Sequence, residues 1–224
     1  MRTLQFIEKE FYYLYNRGVE KRVVFSSKEE YDRFVGYLYL MNDEKNIRPA
    51  NYFVGRRKNE LFSELRRSPI VAIGAYCLIP NDFHILLTPL VDGGISKFMQ
   101  RLQTAYTMYF NERHQRRGSL FEGTFKAERA ESEEYLKYLF SYIHLYAAKL
   151  FNDNWQGASN PELATLSLRV SEYQYSSIGE YLTGKFTIVS PEYLPKYLAN
   201  KKDMKSILDL WLKHKKEFVD DKKE

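Results

Sequence analysis

Asp82 and His84 stand at i and i+2 in the stretch Ala75-Tyr76-Cys77-Leu78-Ile79-Pro80-Asn81-Asp82-Phe83-His84-Ile85-Leu86-Leu87. On a strand that spacing sends both side chains to one face and Phe83 to the other. A carboxylate and an imidazole side by side are donors suited to a small divalent cation. The same pair also fits a surface aspartate beside a histidine satisfied by some neighbour, so the fragment alone leaves both readings open. The second group of residues able to do chemistry is Tyr142 and Tyr146, one helical turn apart. A phenol has a pKa near 10 and is a poor nucleophile until a nearby base, water or metal-influenced network takes its proton. Tyrosines beside a core face also serve as plain amphipathic packing.

The elements that must position these residues follow from the pattern. Phe11 to Gly18 is aromatic-rich and closes on glycine, which predicts a first strand and a turn. Ser26 and Ser27 offer N-caps for a helix carrying Tyr31, Phe34, Val35, Leu38 and Leu40, with Glu29, Glu30 and Asp32 near its positive end. Between Asn42 and Ser68 the pattern weakens, and Arg56-Arg57-Lys58 reads either as a solvated loop or as a phosphate-contacting one. Ile70 to Ile79 and Phe83 to Thr88, joined at Pro80-Asn81, predict an antiparallel hairpin. Ile95, Phe98, Met99, Leu102, Tyr106, Tyr109 and Phe110 mark a long amphipathic helix with a basic end at Arg113, His114, Arg116 and Arg117. Gly123 to Ala130 reads as a fourth strand. Ser132 caps a helix to about Leu150, whose core face is Leu136, Leu139, Phe140, Ile143, Ala147 and Leu150. Tyr135, Tyr138, Tyr142 and Tyr146 fall on an adjoining arc. His144 lies about 160° from Tyr142 around the helix, too far to share a substrate atom.

The order strand, helix, strand, strand, helix, strand is α+β, a ferredoxin-like split βαβ arrangement. It predicts a central antiparallel sheet with helices packed on one face, leaving the other free for a site. After Asn152 the character changes, so residues 1–152 are expected as one domain and 153–224 as a mostly helical extension. The extension includes a last amphipathic helix around Ile207, Leu208 and Trp211.

Composition narrows the classes. The chain has 224 residues, 44% hydrophobic and 28% charged, enough for a sizeable core and unlike a disordered segment. Its net charge of +5 is clustered, which favours a polyanionic partner. The 19 tyrosines and 15 phenylalanines suit half-wet clefts and base stacking as well as cores. The single cysteine, Cys77, excludes a disulfide framework and a cysteine zinc site. No stretch reads as a signal sequence or membrane span, so a soluble cytoplasmic protein with no membrane partner is expected. No phosphate-binding glycine loop or nucleophile elbow is present.

Four stretches together resemble one family: Tyr15-Asn16-Arg17-Gly18; the hairpin Ile79 to Leu87; Gly118-Ser119-Leu120-Phe121-Glu122-Gly123-Thr124-Phe125-Lys126-Ala127; and Tyr142-Ile143-His144-Leu145. In this order they resemble the single-tyrosine HUH transposases, and within them the REP-associated tyrosine transposases. The resemblance covers roughly residues 11 to 182. It implies cutting and rejoining of single-stranded DNA beside hairpin (palindromic) elements through a covalent 5′-phosphotyrosine, with divalent Mg or Mn as cofactor. By the same resemblance Tyr142 is the nucleophile, His84 stands at the second histidine of the metal motif, and Asp82 replaces the first. Tyr146 occupies the position where the family usually has Asn or Gln. The family includes both monomers and homodimers.

A divalent cation neutralises the anionic phosphodiester and polarises its phosphorus. Aspartate is a hard ligand that keeps this open, while a phenol at 146 is a weak one. Arg17, Arg56, Arg57, Lys58, Arg113, Arg116, Arg117, Lys126 and Arg129 are the expected DNA-backbone contacts. Tyr12, Tyr13 and Tyr15 are the expected stacking rings for unpaired bases. The alternative is a catalytically weakened or inactive DNA-hairpin-binding protein that retains the fold. An RNA-binding module shares the element order but lacks its usual Gly- and aromatic-rich strand signature here.

Overall fold

Pro80 and Asn81 turn the chain so tightly that Ile79 pairs directly with Asp82 across the hairpin. The computed structural model describes residues 4–45, 62, 68–155 and 158–198. Within them, β1 (Tyr12–Arg17), β2 (Val71–Ile79), β3 (Asp82–Pro89) and β4 (Lys126–Arg129) form an antiparallel sheet in the order β2-β3-β1-β4. α1 (Lys28–Leu40) and α2 (Gly94–Arg113) connect them in the expected ferredoxin-like order. The fourth strand is shorter than the expected Gly123–Ala130: Gly123, at φ +60°, is still in a turn, and pairing begins at Lys126.

Register divides the sheet into two unlike faces. Tyr15 pairs with His84, Arg17 with Asp82 and Cys77 with His84, so these side chains share a face with Tyr13 and Lys126. Tyr12, Leu14 and Asn16 share the other with Phe83 and Ile85. There the Phe83 ring meets Phe34 of α1 at 5.1 Å, and Phe34 meets Tyr106 of α2 at 5.0 Å. α1 and α2 thus cover this one face, as the element order predicts.

The opposite face is not left open. α3 (Glu133–Leu145) packs across it, started by Ser132, whose Oγ accepts from the Tyr135 N–H at 3.1 Å. The helix ends at Leu145 rather than near Leu150, and the chain continues as a 3₁₀ turn over Tyr146–Leu150 against β2. The tighter turn begins at Tyr146, the last residue of the tyrosine arc.

Residues beyond 152 do not stand apart. α4 (Asn160–Ser171), opened by a Ser159–Glu162 capping box, builds a second apolar cluster in which Leu163, Leu166 and Val170 meet Leu145, Ala148 and Trp155. After it, α5 (Ile178–Thr183) and a strap to residue 198 bring Ile178, Tyr181, Ile188, Val189 and Leu194 into the main core. The strap bonds along the outer edge of β2. Leu78 N–H donates to Tyr175 O, Ser177 N–H to Tyr76 O and Ser190 N–H to Ile73 O. An edge that would otherwise be a template for another chain is covered. Gly74, at a register shift in β2, permits this: a Cβ there would meet Leu194 Cδ2 at 2.8 Å. Among the described residues no helix is long and apolar enough to cross a membrane. Arg56, Arg57, Lys58 and the last amphipathic helix lie outside the described residues.

Candidate active site

Asp82 opens β3 and His84 follows on the same face, with side chains only 13% and 5% exposed. Asp82 Oδ1 lies 3.0 Å from His84 Nε2. The other ring nitrogen, Nδ1, is hydrogen-bonded to the Tyr13 hydroxyl. The Tyr146 hydroxyl donates to Asp82 Oδ2 at 3.5 Å, and its ring lies 3.8 Å from the imidazole. Tyr142, half-buried on α3, sets its ring edge-on to His84 at 6.2 Å and to Tyr13 at 6.1 Å. Sheet register and helix arc therefore bring together Asp82, His84, Tyr142 and Tyr146, the residues singled out in sequence.

The imidazole has two tautomers, one satisfied within the protein and one that calls for a cation. With Tyr13 donating to Nδ1, Nε2–H donates to Asp82. With Nδ1–H donating to Tyr13, Nε2 presents a lone pair beside the carboxylate, the form a metal needs. Tyr13 is held well above the usual phenol range, first by burial and then by the negative charge that Tyr142, Tyr146, Tyr15 and Asp82 can carry. It is therefore a neutral phenol that can serve either tautomer.

Whether these residues suit a metal can be tested on their spacing. Mg²⁺ takes octahedral ligands at about 2.0–2.1 Å, so neighbouring ligand atoms lie about 3 Å apart. Asp82 Oδ1 and His84 Nε2 meet that spacing at 3.0 Å. They fit as two adjacent ligands, with the Tyr146 hydroxyl 3.5 Å from Asp82 Oδ2. Among the described residues no group of three or more His, Cys, Asp and Glu side chains gathers to hold an ion.

Other expected site residues divide. Arg17 is exposed on the site face and pairs with Glu122 at 2.6 Å. Lys126 lies 5.7 Å over the Tyr15 ring, which stacks on Tyr13 at 5.0 Å. Tyr12 and Tyr13 cannot act as surface stacking rings. Tyr12 is fully buried on the opposite face, its hydroxyl donating to Gln5 O, and Tyr13 is committed to His84. Arg129 sits opposite Tyr12, so it faces away from the site and pairs with Glu10 at 3.1 Å. Arg113 is also turned away, pairing with Glu30 and Glu29 of α1. Arg116 braces its own loop through Asn111 and Ser119 O, while Arg117 is exposed.

His144 is structural. Burial lowers its pKa to about 4, its Nδ1 is bonded to Phe140 O, and its Nε2 lies 2.8 Å from Ser177 Oγ. Asn16 ties two of the quoted stretches together, donating to Gly123 O while Arg17 holds Glu122. Sequence reading gave Tyr13 the wrong task and passed over Lys149, whose ammonium lies 4.2 Å from the Tyr146 ring centre. The signal for Lys149 was its position three residues after Tyr146, one turn along the same side.

No curated protein matches the chain in sequence. Among solved structures, a REP-associated tyrosine transposase bound to a REP hairpin is similar in fold. The TM-score is 0.52 at 10% identity, over 85% of this chain and 90% of that one. Residues 42–145 match the family described as "Transposase IS200 like". Asp82, His84 and Tyr142 all lie inside the matched segment, which spans just under half of the chain.

Proposed function

We propose that this chain binds single-stranded DNA beside a hairpin and cuts and rejoins it through Tyr142. The observation that carries the reading is the placement of Tyr142, half-buried and edge-on to His84, on the face that also bears Asp82. The match of residues 42–145 to the IS200-like transposase model supports the reaction class, and the similar structure bound to a REP hairpin supports the hairpin partner.

In the reaction, Tyr142 Oη loses its proton and forms a bond to phosphorus as the bond to the 3′ oxygen breaks. That oxygen takes a proton and leaves as a 3′-hydroxyl. The 5′-phosphate stays esterified to tyrosine, so reversal by a 3′-hydroxyl joins strands with no further energy input. Asp82 and His84 would hold a Mg²⁺ or Mn²⁺ ion, with Tyr146 beside them. When bound, the ion supplies charge neutralisation on the non-bridging phosphate oxygens. Tyr13 orients the His84 ring, and Arg17, Lys126 and Lys149 are cations beside the path of the strand. Tyr142 stands against His84 of its own chain at 6.2 Å between ring centres, a placement that allows the tyrosine to act in cis in a monomer or a homodimer.

A second reading, hairpin binding without chemistry, is favoured by one specific feature. Asp82 replaces the first histidine of the family motif, and both His84 nitrogens already have partners within the protein. A denaturing gel separates the two readings. Hairpin oligonucleotides with single-stranded flanks are incubated with the full chain in Mg²⁺, Mn²⁺ or chelator. A metal-dependent covalent adduct, absent in Tyr142→Phe, is expected; tight binding with no adduct in any metal would leave only the second reading.

A further inference from the structure

An open groove with about 330 Å³ of space lies at the outer edge of β2 and is lined by Phe151, Arg169, Glu172, Tyr173, Gln174 and Tyr175. None of these residues takes part in the metal and tyrosine chemistry. Its walls are nonetheless bonded to the hairpin. Phe151 follows directly on the 3₁₀ turn that begins with Tyr146, and its N–H donates to Ala148 O. Tyr173 donates to Leu78 O at 2.6 Å, and Leu78 N–H donates to Tyr175 O at 2.9 Å. Leu78 pairs with Phe83, and the next residue, Ile79, with Asp82. The groove is thus fixed to the end of the hairpin that carries Asp82.

The walls are aromatic and preset. Phe151 and Tyr173 meet edge to face at 6.2 Å, Tyr173 and Tyr175 at 5.9 Å, and Tyr175 is backed by Tyr31 at 4.2 Å. Arg169 lays its guanidinium 5.6 Å from the Phe151 ring centre. The polar lining contains one cation, one anion and one amide. A phosphate would meet the Glu172 carboxylate, which opposes it. A nucleobase suits this lining: a flat apolar body for the rings, acceptor atoms for Arg169, and for Glu172 the exocyclic amine N–H that adenine, guanine and cytosine carry. The space, about 330 Å³ and open to solvent, allows a base to stack on the rings while keeping one edge in water.

We propose that this groove holds an unpaired nucleobase of the DNA strand carried at the Asp82–His84 site. It rests on the DNA reading above and extends it: residues beyond 152 contribute a base pocket, so part of the choice of strand is made outside the matched segment.

The test uses the full chain. A DNA hairpin with randomised single-stranded flanks is selected on the wild-type protein, and the selected strand is then scanned with single abasic replacements. Stacking of one base predicts a loss of about tenfold in affinity at one flank position. In Phe151→Leu, and independently in the exposed Arg169→Ala, the same replacement should cost little further. Thermal unfolding of both variants checks that they are folded, and Arg169→Ala, on the surface of α4, keeps the test valid if Phe151→Leu is not. A strand bound tightly with the abasic penalty unchanged in the folded variants overturns the pocket alone. A wild-type chain that selects no strand overturns the DNA reading and the pocket together.

Discussion

Phe83 and His84 are neighbours in sequence, yet they serve opposite faces of one sheet. Phe83 lies among Phe34 and Phe121, with ring centres at 5.1 and 5.5 Å, where every gain comes from apolar surface removed from water. His84 lies among Tyr13, Tyr15, Tyr142 and Tyr146, where each hydroxyl and ring nitrogen must be paired for burial to be tolerated. The first face secures the fold. The second buries polar groups where an apolar side chain would pack more simply, the pattern expected where a site is built at some cost in stability. If that division is right, substitutions on one face should move stability, and those on the other should move chemistry.

The largest expected effect is on the reactive face. On the proposed reading Tyr142 is the nucleophile, so in Tyr142→Phe the covalent adduct should vanish on a denaturing gel while the unfolding free energy changes by no more than about 0.5–1.5 kcal/mol. Next comes the dry face. Phe83→Ala empties a fully buried ring position and should cost about 3–5 kcal/mol in urea denaturation. His84→Ala, one residue on, should cost clearly less stability and abolish the adduct. An equal loss of stability for the two would break the comparison.

The sequence carried the two faces well because a strand has a period of two. Asp82, His84 and the turn at Pro80-Asn81 fix which side chains share a surface, and the arc of Tyr142 and Tyr146 fixes which tyrosines can meet them. What it carried poorly were contacts set by packing. Tyr12 and Tyr13 look alike in a run of aromatics, and only register against β3 and β4 sends one into the core and the other onto His84. Arg113 and Arg129 look like DNA contacts in a basic chain, but Glu29, Glu30 and Glu10, distant in sequence, claim them. The strap along β2 was illegible for the same reason: its bonds are backbone to backbone and leave no side-chain pattern. Gly74, which the approach of Leu194 requires, was the single trace of it.

The strap also ties the reactive helix to the core through His144, and this gives a pH test of intermediate size. The folded-state pKa of His144 is lowered to about 4 by burial, so the unfolded chain binds its proton more readily. Its contribution is fully present above the unfolded value near 6.5 and is lost as pH falls towards 4, up to about 3 kcal/mol in all. Stability measured by denaturant between these values should therefore decline with acid. His144→Asn should lower stability at neutral pH and flatten that part of the profile; an unchanged slope would place the titration elsewhere.

The smallest effect tests how the reactive face is held together. Tyr13 touches His84 Nδ1 and has no role of its own in attack on phosphorus, so its hydroxyl acts by orienting the imidazole and fixing which nitrogen carries the proton. Partners of this kind contribute about 10–100-fold to metal affinity. Tyr13→Phe keeps the ring that stacks on Tyr15 at 5.0 Å and meets Tyr142 at 6.1 Å, so packing should survive. Mn²⁺ binding by calorimetry should nevertheless weaken within that range. Binding that is unchanged in Tyr13→Phe but lost in Asp82→Ala would mean that the carboxylate holds the ion without help from an oriented His84, and the two residues that opened the site would then be one ligand and one bystander.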